Sequence, residues 1–447
     1  MQAPTPVTSA VRMLEDHGFE AYAVGGCVRD SLLGLTPHDW DICTSALPEE
    51  MQAIFDGFRV IETGKAHGTL TVLLDGMPLE ITTYRVDGAY SDHRRPDGVR
   101  FVSRIEEDLA RRDFTVNAMA WHPEHGLRDP FGGEKDLWNR LLRAVGDPDL
   151  RFEEDALRIM RALRFAAAYG LRIDPATAAA LRHKRALLGF VAAERLRAEL
   201  DRLLTAAGAE SILTDYPDVL AVFLPFISPM VGFEQHSVYH HLDVWQHTAA
   251  AVGASVPDLP VRLALLLHDA GKPARYTIDE EGRGHFYGHA SVSAALAEET
   301  LHALKYDRKT METVIRLVKY HDTPIPPEPP AVKRWLGRLG EEGFRMLLEV
   351  KRGDARGHAP AVVPVSLSAV DGVEDCLNRV IAEGACFSVR DLAVDGRDAM
   401  AAGVPEGPAV GKALAALTEA VIDGVWPNDR EVLLRVLKDG YGSLEKS

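Results

Sequence analysis

Residues 23–48 read AVGGCVRDSLLGLTPHDWDICTSALP, and two short patterns within them decide the fold: the pair Gly25-Gly26 and the triplet Asp39-Trp40-Asp41. In an extended strand residues two apart point to the same face, so both carboxylates can reach one site and hold a divalent cation. An isolated D-x-D more often lies on an ordinary solvated strand face. The glycine pair upstream changes that reading, because it lets backbone approach a phosphate closely before a helix begins. A cation clamp beside a phosphate cradle is the layout that nucleotide transfer needs.

Outward from this stretch, short β-branched runs alternate with turns up to residue 145. EAYAVGG, FRVIETG, GTLTVLL, LEITTYR and VRFV are predicted strands, and helices are predicted near 28–34 and 48–56. That pattern describes an α/β head on a small mixed sheet, residues 1–145. From Glu153 the apolar period becomes 3.6, through Ala156, Leu157, Met160, Leu163, Arg164 and Ala167, which makes 146–230 helical. A turn-rich stretch, PFISPMVGFEQHS, precedes a histidine-dense region at 231–387. Residues 388–447 are predicted as a helical tail punctuated by Gly403, Gly407 and Gly411.

A chain of 447 residues implies two to four domains. Its amino-terminal stretch has no apolar segment behind basic residues and no run approaches ~18 apolar residues, so a cytoplasmic protein is expected. Cys27, Cys43, Cys376 and Cys386 lack zinc-ribbon spacing and are expected as free thiols. A net charge of -16 argues against indiscriminate nucleic-acid binding. Positive charge is instead concentrated locally, in Arg158, Arg161, Arg164, Arg172, Arg182, Lys184, Arg185, Arg195, Arg197 and Arg202. Such a run is either a solvated helix face or a track for an RNA backbone.

The opening stretch continues through TGKAHGTLTV, LEITTYR, YSDHRRPDGVRFV, DLARRDFTVNAMA, DPFGGEKDL and FEEDALRIMRALRFAAAYGL. In that order the series resembles the class II tRNA nucleotidyltransferases, the bacterial CCA-adding enzymes, and the related poly(A) polymerases. The resemblance implies template-independent transfer from CTP and ATP to a tRNA 3′ end, with Mg2+ at Asp39 and Asp41. Glu80, in LEITTYR, is either a third carboxylate facing the pair or a strand-edge glutamate. Gly25, Gly26 and Arg29 are placed to receive the triphosphate. The resemblance implicates Asp108, Arg111, Arg112 and Asn117 in ribose and phosphate contacts, whereas spacing alone makes 108/112 and 113/117 pairs on a surface helix.

Glu154-Asp155-Ala156-Leu157-Arg158 matches the family's E-D-x-x-R motif, implicated in choosing C and A; Arg161 and Arg164 are further nucleotide-binding candidates. On a helix Asp155 and Arg158 would share a face. A carboxylate there accepts from the exocyclic amine that cytosine and adenine both carry. Uracil and guanine place a carbonyl at that position, at a cost of ~1–3 kcal/mol for facing acceptors. The segment RVDGAYSDHRRPD, 85–97, is expected to be a mobile loop, which the family associates with the change from C to A addition.

Downstream, His247, His268-Asp269, His289, His321 and Asp354 form a pattern unrelated to the head. With LALLLHDAGKP around the His-Asp pair, 231–387 resembles the HD superfamily of metal-dependent phosphohydrolases. Imidazole and carboxylate ligands suit Mn, Fe, Ni, Co or Zn, and six such residues can hold two ions bridged by Asp269. Asp322 is an alternative to His321 or Asp354. The expected activity is phosphomonoester or cyclic phosphodiester hydrolysis, unless the domain is degenerate and merely shapes the RNA surface.

The fold expected is therefore an α/β nucleotidyltransferase head followed by all-α neck, body, HD and tail domains, the tail binding tRNA. The leading function is building or repair of the tRNA CCA end. The rivals are an A-adding tRNA nucleotidyltransferase or poly(A) polymerase, and a tRNA-binding chaperone without catalysis.

Overall fold

The structure, a computed structural model, describes residues 1–88 and 98–444. It contains two compact units, Met1–Ser228 and Pro229–Ser447.

The first unit is built on strands β1 (Ala21–Val24), β2 (Asp41–Thr44), β3 (Arg59–Ile61), β4 (Thr69–Leu74), β5 (Met77–Thr83), β6 (Arg85–Asp87), β7 (Val99–Phe101), β8 (Ala120–His122) and β9 (Gly126–Arg128). Seven of them form one sheet in the order β3-β4-β5-β2-β1-β8-β9. Strands β2 and β5 run parallel and set Asp41 opposite Glu80. The neighbouring pairs are antiparallel. Strands β6 and β7 pair separately, and most of the predicted 85–97 loop lies outside the described residues. The apolar residues of β4 are buried at every second position, as a sheet with one face on a core requires.

Past Pro148 the unit is mainly helical, as the change of period predicts, but not continuously so. One helix, Pro148–Glu154, ends where Asp155 adopts φ -137° and ψ 104°, and a second runs over Leu157–Tyr169. Asp155 and Arg158 therefore do not share one helix, contrary to the spacing argument. The segment from Asp108 is likewise broken: a helix covers Ile105–Ala110, Phe114 is extended, and Thr115–Asn117 forms a single 3-10 turn. Asp108, Asp113 and Asn117 are buried, so this is not a surface helix.

Among the described residues the second unit is helical apart from one short hairpin, Thr277–Ile278 with Gly284–His285. Its long helix, Pro329–Gly357, is bent at Gly340, where φ is +70°. Toward the end of that helix, a Cβ on Gly357 would lie 2.8 Å from His247 Nδ1. Only glycine lets the backbone come this near the histidine. In the tail, Ala399, Ala413, Leu417 and Leu433 close a small core, and Gly411 lies inside the helix Pro408–Ile422 rather than between helices.

Candidate active site

The first unit holds a cavity of about 480 Å3 whose wall includes Gly25, Gly26, Arg29, Asp41, Arg111, Arg112, Asn117, Asp155, Arg158, Arg161 and Arg164. Arginines outnumber carboxylates on this wall, which suits it to a polyanion such as a triphosphate. Gly25 has φ +76°, and a Cβ there would sit 2.6 Å from Arg112 Nη1. The glycine pair thus opens the floor of the cavity to a ligand.

Three carboxylates meet at the strand end. Trp40 is buried, while Asp39 is exposed just ahead of β2 and Asp41, half-buried, starts it. Glu80 is exposed on β5, one strand spacing of ~4.8 Å from Asp41. Burial raises the pKa of Asp41; Arg112 opposes this, and the charges of Glu80 and Asp39 add to it. Mutual repulsion among three carboxylates is what a bound divalent cation relieves, so this set fits such an ion.

Behind them the arginines are braced by hydrogen bonds. Arg29 Nη1 donates to Asn117 Oδ1 at 2.5 Å, and its guanidinium lies 4.3 Å from the Tyr169 ring. Asn117 Nδ2 donates to Asp113 Oδ1 at 3.0 Å, and Asp113 Oδ2 accepts from Arg161 at 2.8 Å and 2.6 Å. Burial alone would raise the Asp113 carboxyl; Arg161 and these hydrogen bonds instead hold it down at about 2. Arg158 donates to Glu154 at 2.6 Å and to the carbonyl of Arg111 at 3.0 Å. Asp155 instead pairs with Arg195, at 2.8 Å and 3.3 Å. Asp108 is fully buried behind the wall, pairing with Arg111 at 2.8 Å and Arg112 at 3.4 Å. It positions arginines rather than reaching the cavity.

Two charged cavity residues, Asp113 and Arg195, lie outside the predicted nucleotide-binding set. Asp113 belongs to the DLARRDFTVNAMA motif and Arg195 to the basic run, but neither pattern reveals that their partners are Arg161 and Asp155.

In the second unit six predicted ligands converge as two triads, His247–His268–Asp354 and Asp269–His289–His321. Asp269 joins them: its Oδ2 lies 3.2 Å from His268 Nε2, and its Oδ1 lies 3.4 Å from His289 Nε2 and 3.8 Å from His321 Nε2. Asp354 Oδ1 is 2.9 Å from His247 Nε2 and 3.5 Å from His268 Nε2. Each imidazole is oriented by a backbone carbonyl at its Nδ1: Gly357, Leu265, Phe286 and Val318, at 2.6 to 3.0 Å. Every Nε2 is thereby turned inward, the outer-shell pattern that prepares histidine for a metal. Burial would lower His268, but Asp269 and Asp354 raise it to about 10, so the cluster draws positive charge. The residues fit a pair of divalent transition ions. Asp322, the alternative ligand, is exposed and outside both triads.

Fold and cavity together define a nucleotidyltransferase that carries a second, histidine-rich centre. The model of the poly A polymerase head domain matches residues 21–143, a probable RNA-binding domain of polymerase A matches 170–228, and tRNA nucleotidyltransferase domain 2 matches 284–437. A CCA-adding enzyme of Lacticaseibacillus paracasei is 36% identical, over 95% of this chain and 94% of its own length. That of Geobacillus stearothermophilus is 34% identical over 98% and 97%. The crystal structure of the Bacillus stearothermophilus CCA-adding enzyme in complex with CTP superposes with TM-score 0.73 and 30% identity, covering all of both chains. The chain belongs to the CCA-adding enzyme family.

Proposed function

We propose that the cavity of the first unit adds C and A to the 3′ end of tRNA from CTP and ATP, building or repairing the CCA terminus. The observation that carries this reading is the register of Asp41 with Glu80, beside Asp39, at the rim of an arginine-lined cavity that also contains Asp155 and Arg158. Asp39 and Asp41, with Glu80, would hold Mg2+, whose charge lowers the pKa of the RNA 3′-hydroxyl and stabilises the phosphates. Gly25, Gly26, Arg29, Arg111 and Arg112 bind and orient the triphosphate. The 3′-oxygen attacks the α-phosphorus, the bond to pyrophosphate breaks, and the hydroxyl proton passes to solvent. Asp155 accepts from the exocyclic amine of cytosine or adenine while Arg158 donates to a neighbouring ring acceptor. The tail, 388–447, is assigned to tRNA binding, and the cytoplasm is where such a substrate is met. No helix among the described residues is long and apolar enough to cross a membrane.

Calorimetric titration of the four nucleoside triphosphates tests base choice. CTP and ATP should bind ~10-fold or more tighter than UTP and GTP, and Asp155→Ala should erase the difference. Equal affinity of the unmodified protein for all four would overturn the assignment of Asp155 and Arg158.

A second activity, phosphoester hydrolysis in the second unit, is supported by Asp269 facing both histidine triads. Ions such as Mn, Fe, Ni, Co or Zn held there supply Lewis acidity to a phosphoryl group.

A further inference from the structure

Beside the two triads the second unit opens into a cavity of about 810 Å3, and His240, Lys272 and His358, which belong to neither triad, are on its wall. Lys272 is buried. Its ammonium contacts Asp269 Oδ2 at 2.7 Å and Gln235 Oε1 at 2.8 Å, and lies 3.5 Å from His240 Nε2. An ammonium cannot accept, so His240 Nε2 is the acceptor of that contact and the ring proton sits on Nδ1. His240 Nδ1 is buried and has no hydrogen-bond partner, as is His358 Nδ1. The His240 ring is held by two edge-on imidazoles, His358 at 4.9 Å and His247 at 5.0 Å. His358 in turn stacks on His247 and reaches Asp354 Oδ1 at 3.5 Å.

A buried donor without a partner is costly unless a ligand satisfies it. Two ligands suit this position, a third metal ion or a phosphoryl oxygen. His240, His247 and His358 do bring nitrogens close enough for an ion. Yet both nitrogens of His247 are committed, Nδ1 to the carbonyl of Gly357 and Nε2 to the triad it forms with His268 and Asp354, and the Lys272 ammonium beside His240 repels a cation. The same ammonium attracts an anion.

We propose that His240 and Lys272, with His358 fixing the His240 ring, form a phosphoryl-oxygen subsite beside the histidine–aspartate cluster. It takes the terminal phosphate of a phosphomonoester, and it rests on the hydrolase reading of that cluster. His240 is a binding residue here: its Nδ1–H donates to one phosphoryl oxygen, and Lys272 supplies the charge.

The probe is inorganic phosphate, titrated calorimetrically into the full-length protein loaded with Mn2+ and again into metal-free protein. His240→Ala should weaken phosphate by ~10-fold with Mn2+ content unchanged, and His240→Asn, whose amide restores a donor near Nδ1, should recover most of the affinity. Nucleotide addition by the head should be untouched in both variants, which verifies their folding. Unaltered phosphate affinity in His240→Ala overturns the subsite, and so does loss of one Mn2+ per chain, which would make this a third ion position. A protein that binds no Mn2+ defeats the hydrolase reading instead. The metal-free titration then still decides the subsite, since neither Lys272 nor His240 needs an ion to hold phosphate.

Discussion

Arg195 donates to both oxygens of Asp155, at 2.8 Å and 3.3 Å, from a helix forty residues further along the chain. Asp155 lies in the break between two helices, where its backbone is extended and its Oδ1 also accepts from the Leu157 amide at 3.1 Å. Arg195, the side chain that holds both oxygens, thus helps orient the carboxylate proposed to read the base. Arg195→Ala should lower discrimination between CTP and UTP by ~10-fold in kcat/KM, equivalent to about 1.4 kcal/mol, and Arg195→Lys should recover only part of it because a single ammonium cannot form the fork. Unaltered discrimination would remove Arg195 from base selection.

Glu80 shares a sheet register with Asp41 and raises its pKa. For Glu80 in its proposed place as a third ligand of the cation, replacement by Gln should cut kcat/KM for nucleotide addition by ~100-fold and raise the Mg2+ concentration for half-maximal rate. A strand-edge glutamate without a role would leave both unchanged.

Asp113 ties Asn117, and through it Arg29, to Arg161. Its folded pKa of about 2 lies below an ordinary 3.8, so its contribution to stability is fully present above 3.8 and disappears as pH falls through about 2. The displacement corresponds to about 2 kcal/mol. Thermal unfolding of the unmodified protein and Asp113→Asn should differ most near neutral pH and converge on acidification. A difference that grows with acid would contradict the sign.

The histidine cluster can be tested apart from the head. His268→Ala removes a ligand shared with Asp354, and Asp269→Ala removes the bridge. Elemental analysis should show one ion lost per chain in the first and both in the second, with nucleotide addition unchanged. Equal metal content in all three proteins would leave the cluster as packing.

Much of this architecture is legible in the chain because its motifs lie in turns and strand ends, where chemistry dictates residue type. Gly25 is one example: nothing larger leaves room for Arg112. The strands of the sheet follow from β-branched runs, and the order of His247, His268, Asp269, His289, His321 and Asp354 already suggests a cluster. What the sequence hides is backbone conformation inside an apolar pattern. The helical period runs on through Ala156, Leu157 and Met160, so nothing in it marks Asp155 as extended. The 108/112 and 113/117 spacings do yield contacts, Asp108 with Arg112 and Asp113 with Asn117, but in buried turns instead of on an exposed helix. Long-range partners are hidden for the same reason. Arg195 is one of many arginines in its region, and only folding selects it for Asp155.

The most direct test of the central claim is sequencing of 3′ ends after incubating the protein with CTP and ATP and tRNA transcripts that end before CCA, after C, and after CC. Completed CCA on all three, abolished by Asp41→Ala with tRNA binding retained, is the result expected. Addition of A alone to the CC-ending transcript, long A tails on unrelated RNA, or full activity in Asp41→Ala would contradict it.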